Sequence, residues 1–523
     1  MSKTKLELTW IGKDKRPKLE PRILLEDPEL SYHASHKVSE NDIFDNKLIF
    51  GDNLLALKAL EQEYTGKVKC IYIDPPYNTG NAFEHYDDGL EHSLWLSLMR
   101  DRLILLRNLL SEDGFIFVQI DNNEMAYLKV LLDEVFGRNR FVNDIVWKRR
   151  GGSANPTSRL NNVVDYILWY SKSDSYAINH IFSLDDDNTK EYIEKRFNNI
   201  DENGRKFMKS PIQSPNYRPN LIYDYKGYKT PKKGYSISRE VMEKWDAEGK
   251  LCFPDSKDKN INRKIYLDEY KGQPVGNLWS DIKVINPMSI ERTTFEGGQK
   301  PEALIERVIA LSTNPGDLVL DSFGGSGTTA AVAHKMGRRW IMVELGEHCH
   351  THIIPRLKKV IDGEDQGGIS KSVNWQGGGG FRYYKLAPSL IEYDRFGQPV
   401  INKEFNAEML AEAVCKLEGF TYAPSDTIWW QHGYSTETDF IYVTTQNLSV
   451  EQLEQISEEV GSDKTLLVMC GAFRCKADRF ANLTIKKLPK AVLKHCEWAH
   501  DDYSLNVQNL PMAARDPEQE DLF

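Results

Sequence analysis

The sequence predicts an α/β protein built on a parallel sheet, and two stretches far apart in the chain predict it. In the first, Cys70-Ile71-Tyr72-Ile73 is apolar and β-prone and breaks into Asp74-Pro75-Pro76-Tyr77. In the second, Leu318-Val319-Leu320-Asp321 runs into Ser322-Phe323-Gly324-Gly325-Ser326-Gly327 and then into a helical pattern. Both stretches follow the β-α-β logic of parallel sheets covered by helices. Open sheets of this kind hold their ligands outside the carboxyl ends of the strands.

Composition narrows the class. The chain has 523 residues, room for about three domains, and is 40% hydrophobic and 28% charged, as an ordinary soluble protein is. No apolar run reaches the ~18 residues of a membrane span, and Met1-Ser2-Lys3-Thr4-Lys5 lacks a signal-peptide core. Seven cysteines without a regular framework point to reduced thiols and a cytoplasmic setting. The net charge of −10 argues against a surface that coats DNA uniformly, but it permits a local basic cleft.

In chain order, residues 1–45 read as a polar arm anchored by Trp10-Ile11. Ile49-Phe50-Gly51-Asp52-Asn53 reads as a strand end and turn before a helix, so Asp52 either borders the ligand crevice or caps that helix. Asp74-Pro75-Pro76-Tyr77 suits an exocyclic amine on a planar base. The Asp74 carboxylate and the Pro75 carbonyl accept the two N–H bonds, and Tyr77 offers a ring for stacking. An amphipathic helix over residues 91–110 and a strand over Phe115–Ile120 follow. Lys148-Arg149-Arg150 opens a change of texture, and Val163–Ser171 is one more buried strand.

Residues 205–235 carry eight basic side chains, including Arg218, Lys226, Lys229, Lys232 and Lys233, against the single acid Asp224. Tyr217, Tyr223, Tyr225, Tyr228 and Tyr235 are interleaved with them. Cations for phosphates and aromatics for stacking or packing are what a nucleic-acid surface requires. Lys148, Arg149, Arg150, Arg218, Tyr223, Lys226, Lys229, Lys232 and Lys233 are the candidate DNA contacts.

Further on, Pro301 starts a helix, and glycines between Asp321 and the next helix let a ligand approach the backbone. Glu344 ends the following strand, where an acid can hold ribose hydroxyls. Gly325, Gly327 and Ala330 fit G-x-G-x-x-A, which leaves NAD and S-adenosylmethionine both open; no Gly-Lys-Ser/Thr follows, so a Walker A loop is excluded. His348, Cys349, His350 and His352 invite a metal reading, since 348 and 352 could share a helical face, and Pro254-Asp255 with Glu269-Tyr270-Lys271 a permissive nuclease reading with no obvious strand pair around it; no metal is expected. After Trp375-Gln376-Gly377-Gly378-Gly379-Gly380 a small α/β module suited to protein contact is expected, with acidic clusters over residues 451–459 and 516–521.

Asp74-Pro75-Pro76-Tyr77, the loop Asp321–Gly327, Gln299-Lys300-Pro301 and Gly51-Asp52-Asn53 together resemble the β-group amino-methylating DNA methyltransferases, in which the target-amine motif precedes the cofactor motif. Ser322-Phe323-Gly324 departs from that family's usual Pro-Phe-Ala or Pro-Phe-Met. Softer matches at Trp10-Ile11-Gly12-Lys13, Asn78-Thr79-Gly80-Asn81, Asn216–Asn220, Gly379–Tyr384 and Lys490–Trp498 resemble the modification subunits of type III restriction–modification systems.

The resemblance implies a Rossmann-like core in circularly permuted motif order, with S-adenosylmethionine as methyl donor. Its expected parts are an arm (1–45), core segments 46–147 and 288–388, a target-recognition insertion (148–287) and a C-terminal interaction domain (389–523). It implies double-stranded DNA as substrate, a homodimer, and a helicase–nuclease restriction subunit as partner. Catalysis would fall to Asp74, Pro75, Pro76 and Tyr77. The cofactor would fall to Asp52, Asn53, Lys300, Pro301, Asp321, Phe323, Gly325, Gly327, Thr328 and Glu344. The family's N4-cytosine enzymes usually carry Ser in place of Asp74, which favours N6 of adenine. A stand-alone N6-adenine or N4-cytosine methyltransferase and a DNA-reading scaffold for a nuclease are the alternatives.

Overall fold

Two strands separated by some 250 residues of chain lie side by side, and their register sets the rest of the sheet. In a computed structural model, which describes residues 7–77, 88–149, 160–184, 187–293, 298–476 and 478–504, Val319 pairs with Cys70 and Leu320 with Ile71 in parallel. Asn78–Asn81, Arg150–Gly152 and the acidic tail at 516–521 lie outside the described residues.

Packing divides the chain into His180–Asp281 and the remainder. The larger unit contains β1 (Leu24–His33), β2 (Asn46–Phe50), α1 (Asn53–Tyr64), β3 (Val68–Ile73), α2 (Asp88–Leu109), β4 (Leu110–Ile120), α3 (Met125–Phe136), β5 (Phe141–Lys148) and β6 (Val164–Ser171). It continues with α4 (Glu302–Ser312), β7 (Leu318–Asp321), α5 (Thr328–Lys335), β8 (Arg339–Glu344), α6 (Ile354–Ile361) and β9 (Gly380–Leu386). Its strands run in the order β1-β9-β2-β8-β7-β3-β4-β6-β5. From β9 to β4 they are parallel, and β1, β6 and β5 extend the edges in antiparallel pairing.

The central strands are apolar throughout rather than alternating, because helices cover both faces. Ile71, Ile73, Ile116, Val118, Leu320 and Val343 are all fully buried. The N-terminal arm wraps this core: Trp10 Nε1 donates to Ser97 Oγ (2.8 Å), and Arg100 donates to the carbonyls of Lys13 and Lys15.

The insertion is narrower than 148–287. Residues 164–171 pair with β4 and β5, so their apolar run completes the core sheet, and the separate unit begins at His180. That unit has its own core, including Ile212, Tyr225, Tyr235, Met242 and Leu251, under a small antiparallel sheet.

The expected boundary at 389 likewise shows no break in packing. Glu20 accepts from Leu390 N and Ser389 Oγ, both at 2.8 Å, and Gln62 donates to Phe420 O (2.9 Å). Within this region the helix Ala407–Glu418 is capped by Asn406 and ended by Gly419 at φ 79°. The helix Val450–Val460 carries a capping box of Ser449 and Gln452. Parallel strands Asp439–Val443 and Thr465–Cys470 flank it in sequence. No helix among the described residues is long and apolar enough to cross a membrane.

Glu302, at the start of α4, is a buried junction of three elements. Its carboxylate accepts from Lys335 Nζ of α5 (2.8 Å), Arg356 Nη2 of α6 (2.8 Å) and Ile369 N (3.0 Å). Removing one partner of a buried pair strands the other charge. Glu302→Ala should therefore cost about 3–5 kcal/mol, read as a lower urea midpoint with the slope unchanged.

Candidate active site

The register carries the acids to one edge. β2, β8, β7 and β3 are neighbours, with Glu344 opposite Phe50 and Leu320 opposite Ile71. Asp52, Glu344, Asp321 and Asp74 therefore leave the sheet at adjacent carboxyl ends. A cavity of about 490 Å³ opens there, and Asp52, Asn53, Asp74, Tyr77, Phe323 and Glu344 are on its wall. A second cavity, about 430 Å³, shares Tyr77 and Lys300 with the first and is closed by Trp147, Arg149, Asp165 and Thr293.

On the Asp74 side, helix α2 holds the double-proline turn, because Trp95 Nε1 donates to Pro76 O (2.8 Å). Lys300 Nζ pairs with Asp74 Oδ2 and lies 5.3 Å from the centre of the Tyr77 ring. An N–H donor thus stands over that ring against the carboxylate, as the sequence chemistry expects of a base amine. Asp74 Oδ1 is buried without a hydrogen-bond partner among the described residues. Burial, with Asp74 adding to it, raises the Tyr77 phenol well above its ordinary range, so the ring is neutral.

On the Phe323 side, Glu344 Oε2 accepts from Gly325 N (2.7 Å) and Oε1 from Gly346 N (2.8 Å). Oε1 also pairs with His348 Nε2 at 3.1 Å, a hydrogen bond that raises the imidazole pKa. Asp52 fills both roles open in the sequence. Oδ1 caps α1 through Leu54 N (2.8 Å) and Leu55 N (3.2 Å), while Oδ2 accepts from Tyr503 N (2.9 Å) beside Arg102 (3.4 Å). Asn53 Nδ2 donates to Ser322 O (2.7 Å), tying the turn after β2 to the turn after β7.

Asp321, Gly327, Thr328 and Pro301 stand behind the loop rather than on the cavity wall. Asp321 accepts from Phe323 N (2.9 Å) and Thr329 Oγ1 (2.6 Å), holding the loop's curve from below. Gly327 adopts φ 78°, and a Cβ there would meet Ile353 Cγ2 at 3.1 Å. Thr328 Oγ1 accepts from Arg356 Nη1 (2.9 Å) and donates to Lys300 O (3.3 Å). Pro301 is the N-cap of α4.

Of the expected DNA contacts, Lys148 is exposed, Arg149 pairs with the buried Asp165 (3.2 Å), and Arg150 lies outside the described residues. Arg218, Lys226, Lys229, Lys232 and Lys233 are exposed on the His180–Asp281 unit, with Lys226 paired to Asp246. Tyr223 packs on Tyr235 at 4.7 Å, and Tyr225 and Tyr235 are core, so these rings serve packing, whereas Tyr217 is exposed.

His350 is bonded to Tyr383 Oη (2.8 Å), and Glu269 to Arg205 (3.0 Å). No group of three His, Cys, Asp or Glu among the described residues is arranged for a metal.

Arg102, Gln119, Asp165 and Arg356 escaped the sequence reading. Arg102 alone left a signal: it lies on the face of α2 marked by Leu98, Leu105 and Leu109, where a charge must be paired.

The profile of one protein family, described as DNA methylase, matches residues 68–355, more than half of the chain, including Asp74, Tyr77, Phe323 and Glu344 of this site. The chain belongs to the DNA methylase family. It is 36% identical over 411 residues to the probable type III restriction-modification enzyme HindVI Mod subunit of Haemophilus influenzae. That match covers 66% of the chain and 54% of the Haemophilus protein, so the chain spans about half the length of that relative. It is 37% identical over 311 residues to the type II methyltransferase M.EcaI of Enterobacter cloacae, covering 58% of this chain and 67% of that one. To the EcoP15I Mod subunit of Escherichia coli it is 29% identical over 565 residues, covering 89% and 86%. Among solved structures it aligns with the M1.HpyAVI–SAM complex at 18% identity and a TM-score of 0.31, over 60% of this chain and 98% of that one.

Within this site, burial raises the Asp321 carboxyl to about 8. A carboxyl whose pKa is higher folded than unfolded binds more protons when folded, so its contribution to stability falls between its unfolded value, ~4, and that raised value. The melting temperature of the wild type, relative to Asp321→Asn, should therefore decline from pH 5 to pH 8. A flat difference would mean that Asp321 ionises normally.

Proposed function

We propose that this methylase transfers a methyl group from S-adenosylmethionine to N6 of an adenine extruded from double-stranded DNA. The observation that carries the reading is the common cavity: Asp74 and Tyr77 form one part of its wall, and Phe323 and Glu344 another. The wall suits a cationic nucleoside cofactor. Asp52, Asp74 and Glu344 supply negative charge, and Phe323 and Leu345 supply apolar surface.

When bound, the cofactor supplies an electrophilic methyl on a sulfonium. Asp52 and Glu344 would hold its adenine and ribose, and the Phe323–Gly327 loop its amino-acid part. The target base would leave the duplex at a cost of about a few kcal/mol and enter the cavity bounded by Trp147, Asp165 and Lys300. Tyr77 would stack on it, and Asp74 with the Pro75 carbonyl would grip the two N6–H bonds, displacing the Lys300 ammonium. Asp74 would direct the N6 lone pair in line at the methyl, the C–S pair returning to sulfur as the N–C bond forms, and the proton lost from N6 would pass to water. Positioning supplies the rate; no protein nucleophile is used.

The exposed cations of the His180–Asp281 unit would contact DNA phosphates. Similarity to type III Mod subunits across most of the chain supports a role as the modification and DNA-recognition subunit of such a system, as a homodimer beside a helicase–nuclease restriction subunit. Identity to M.EcaI favours a second reading, a methyltransferase that acts without such a partner; isolation of the protein from its native host with or without an ATPase–nuclease chain separates the two.

Asp74→Ala should lower transfer of tritiated methyl to DNA by about a thousandfold or more, since the amine loses its acceptor, while cofactor affinity stays within about twofold. Methylation at the wild-type rate in that variant would refute the role of Asp74. Replacing Lys229, Lys232 and Lys233 together by Ala should flatten the plot of log K against log salt by up to about 2.7, at about 0.9 per phosphate contact. An unchanged slope would remove that face from the DNA interface.

A further inference from the structure

We propose that Gln119 is a positioning residue that sets the tilt and hydrogen-bond polarity of Tyr77. The inference rests on the reading of Tyr77 as the platform for the extruded base, and it adds a device that no motif names.

Gln119 lies on β4, next to β3, and is fully buried. Its amide has one satisfactory orientation. Tyr72 Oη donates to Oε1, while Nε2 donates to Tyr77 Oη (3.2 Å) and to Asp165 Oδ2 (3.3 Å). Turned over, the amide would set its oxygen against the Asp165 carboxylate, acceptor against acceptor, deep in the protein. Asp165, 1% exposed, lies 3.2 Å from Arg149, whose charge offsets part of the burial that raises the Asp165 carboxyl and so favours the carboxylate that dictates the amide's polarity.

The consequence falls on Tyr77. Its oxygen accepts from Gln119, so its own proton is turned away from β4 and towards Asp74, whose nearby charge helps to hold the phenol neutral. The ring is anchored at both ends. The backbone end follows Pro76, whose carbonyl Trp95 holds, and the hydroxyl end is held by Gln119. A phenyl platform gripped only at its backbone end would pivot about χ1 and χ2. One gripped at its hydroxyl keeps the plane on which a base must lie for its amine to meet Asp74. A misplacement of an ångström at such a site costs rate rather than affinity.

A double-mutant cycle tests this with the full-length protein, tritiated S-adenosylmethionine and a methylatable DNA. Gln119→Met keeps the bulk and removes both donors. It should lower kcat about tenfold or more, with the cofactor KM within about twofold. In a Tyr77→Phe background, where the hydroxyl is already gone, the same change should cost less than about twofold. Equal losses in both backgrounds would overturn the proposal, because Gln119 would then act on the fold or on another group. Should Gln119→Met not fold, Tyr77→Phe decides alone: a loss matching the tenfold supports the proposal, and a wild-type rate overturns it. Wild-type protein that transfers no label to any DNA would instead sink the reading of the whole site, an outcome separate from a failed cycle.

Discussion

The parallel pairing of Leu318–Asp321 with Val68–Ile73 is the constraint on which the site depends. A strand's side chains alternate faces, so a slip of one residue would turn Asp321 from beneath the glycine loop and misalign that loop with Asp74. The slip is opposed by burial on both faces: every residue of the 318–321 strand is buried, and helices on either side leave no room for a polar residue turned the wrong way. Hydrophobic register thus places the two polar turns together, although no covalent proximity does.

Charge around the cavity follows from that placement. Four acids converge at neighbouring strand ends, and each is held differently. Asp52 caps a helix and meets Arg102 and the Tyr503 amide while facing the cavity; Asp321 is sealed behind the loop; Glu344 is tied to Gly325 and Gly346. Asp74 alone keeps a buried oxygen without a hydrogen-bond partner among the described residues, its other oxygen resting on Lys300.

Much of this was legible in the sequence, for local reasons. Apolar runs ending in Asp-Pro-Pro-Tyr and in Asp-Ser-Phe-Gly-Gly mark strands that feed turns, and Ser449 with Gln452 or Asn406 with Gly419 mark helix ends within a few residues. What escaped is non-local. Val164–Ser171 reads as a strand, but nothing in its own residues says which sheet it joins, so the insertion was drawn too wide. Gln119 is an unremarkable polar residue in an apolar strand until Tyr72, Tyr77 and Asp165 are seen around it. The contact of Tyr503 with Asp52 joins positions 451 residues apart. Asp321 and Thr328 belong to the right motif, but only coordinates reveal that they brace the loop from behind.

The central claim is that one carbon passes from a sulfonium held by the glycine loop to an amine held by Asp74. The most direct measurement is mass spectrometry of nucleosides from DNA incubated with the protein and S-adenosylmethionine bearing a deuterated methyl group. The label is expected in N6-methyl-2′-deoxyadenosine and in no other nucleoside. Label in N4-methyl-2′-deoxycytidine, or none in the presence of bound cofactor and DNA, would contradict it.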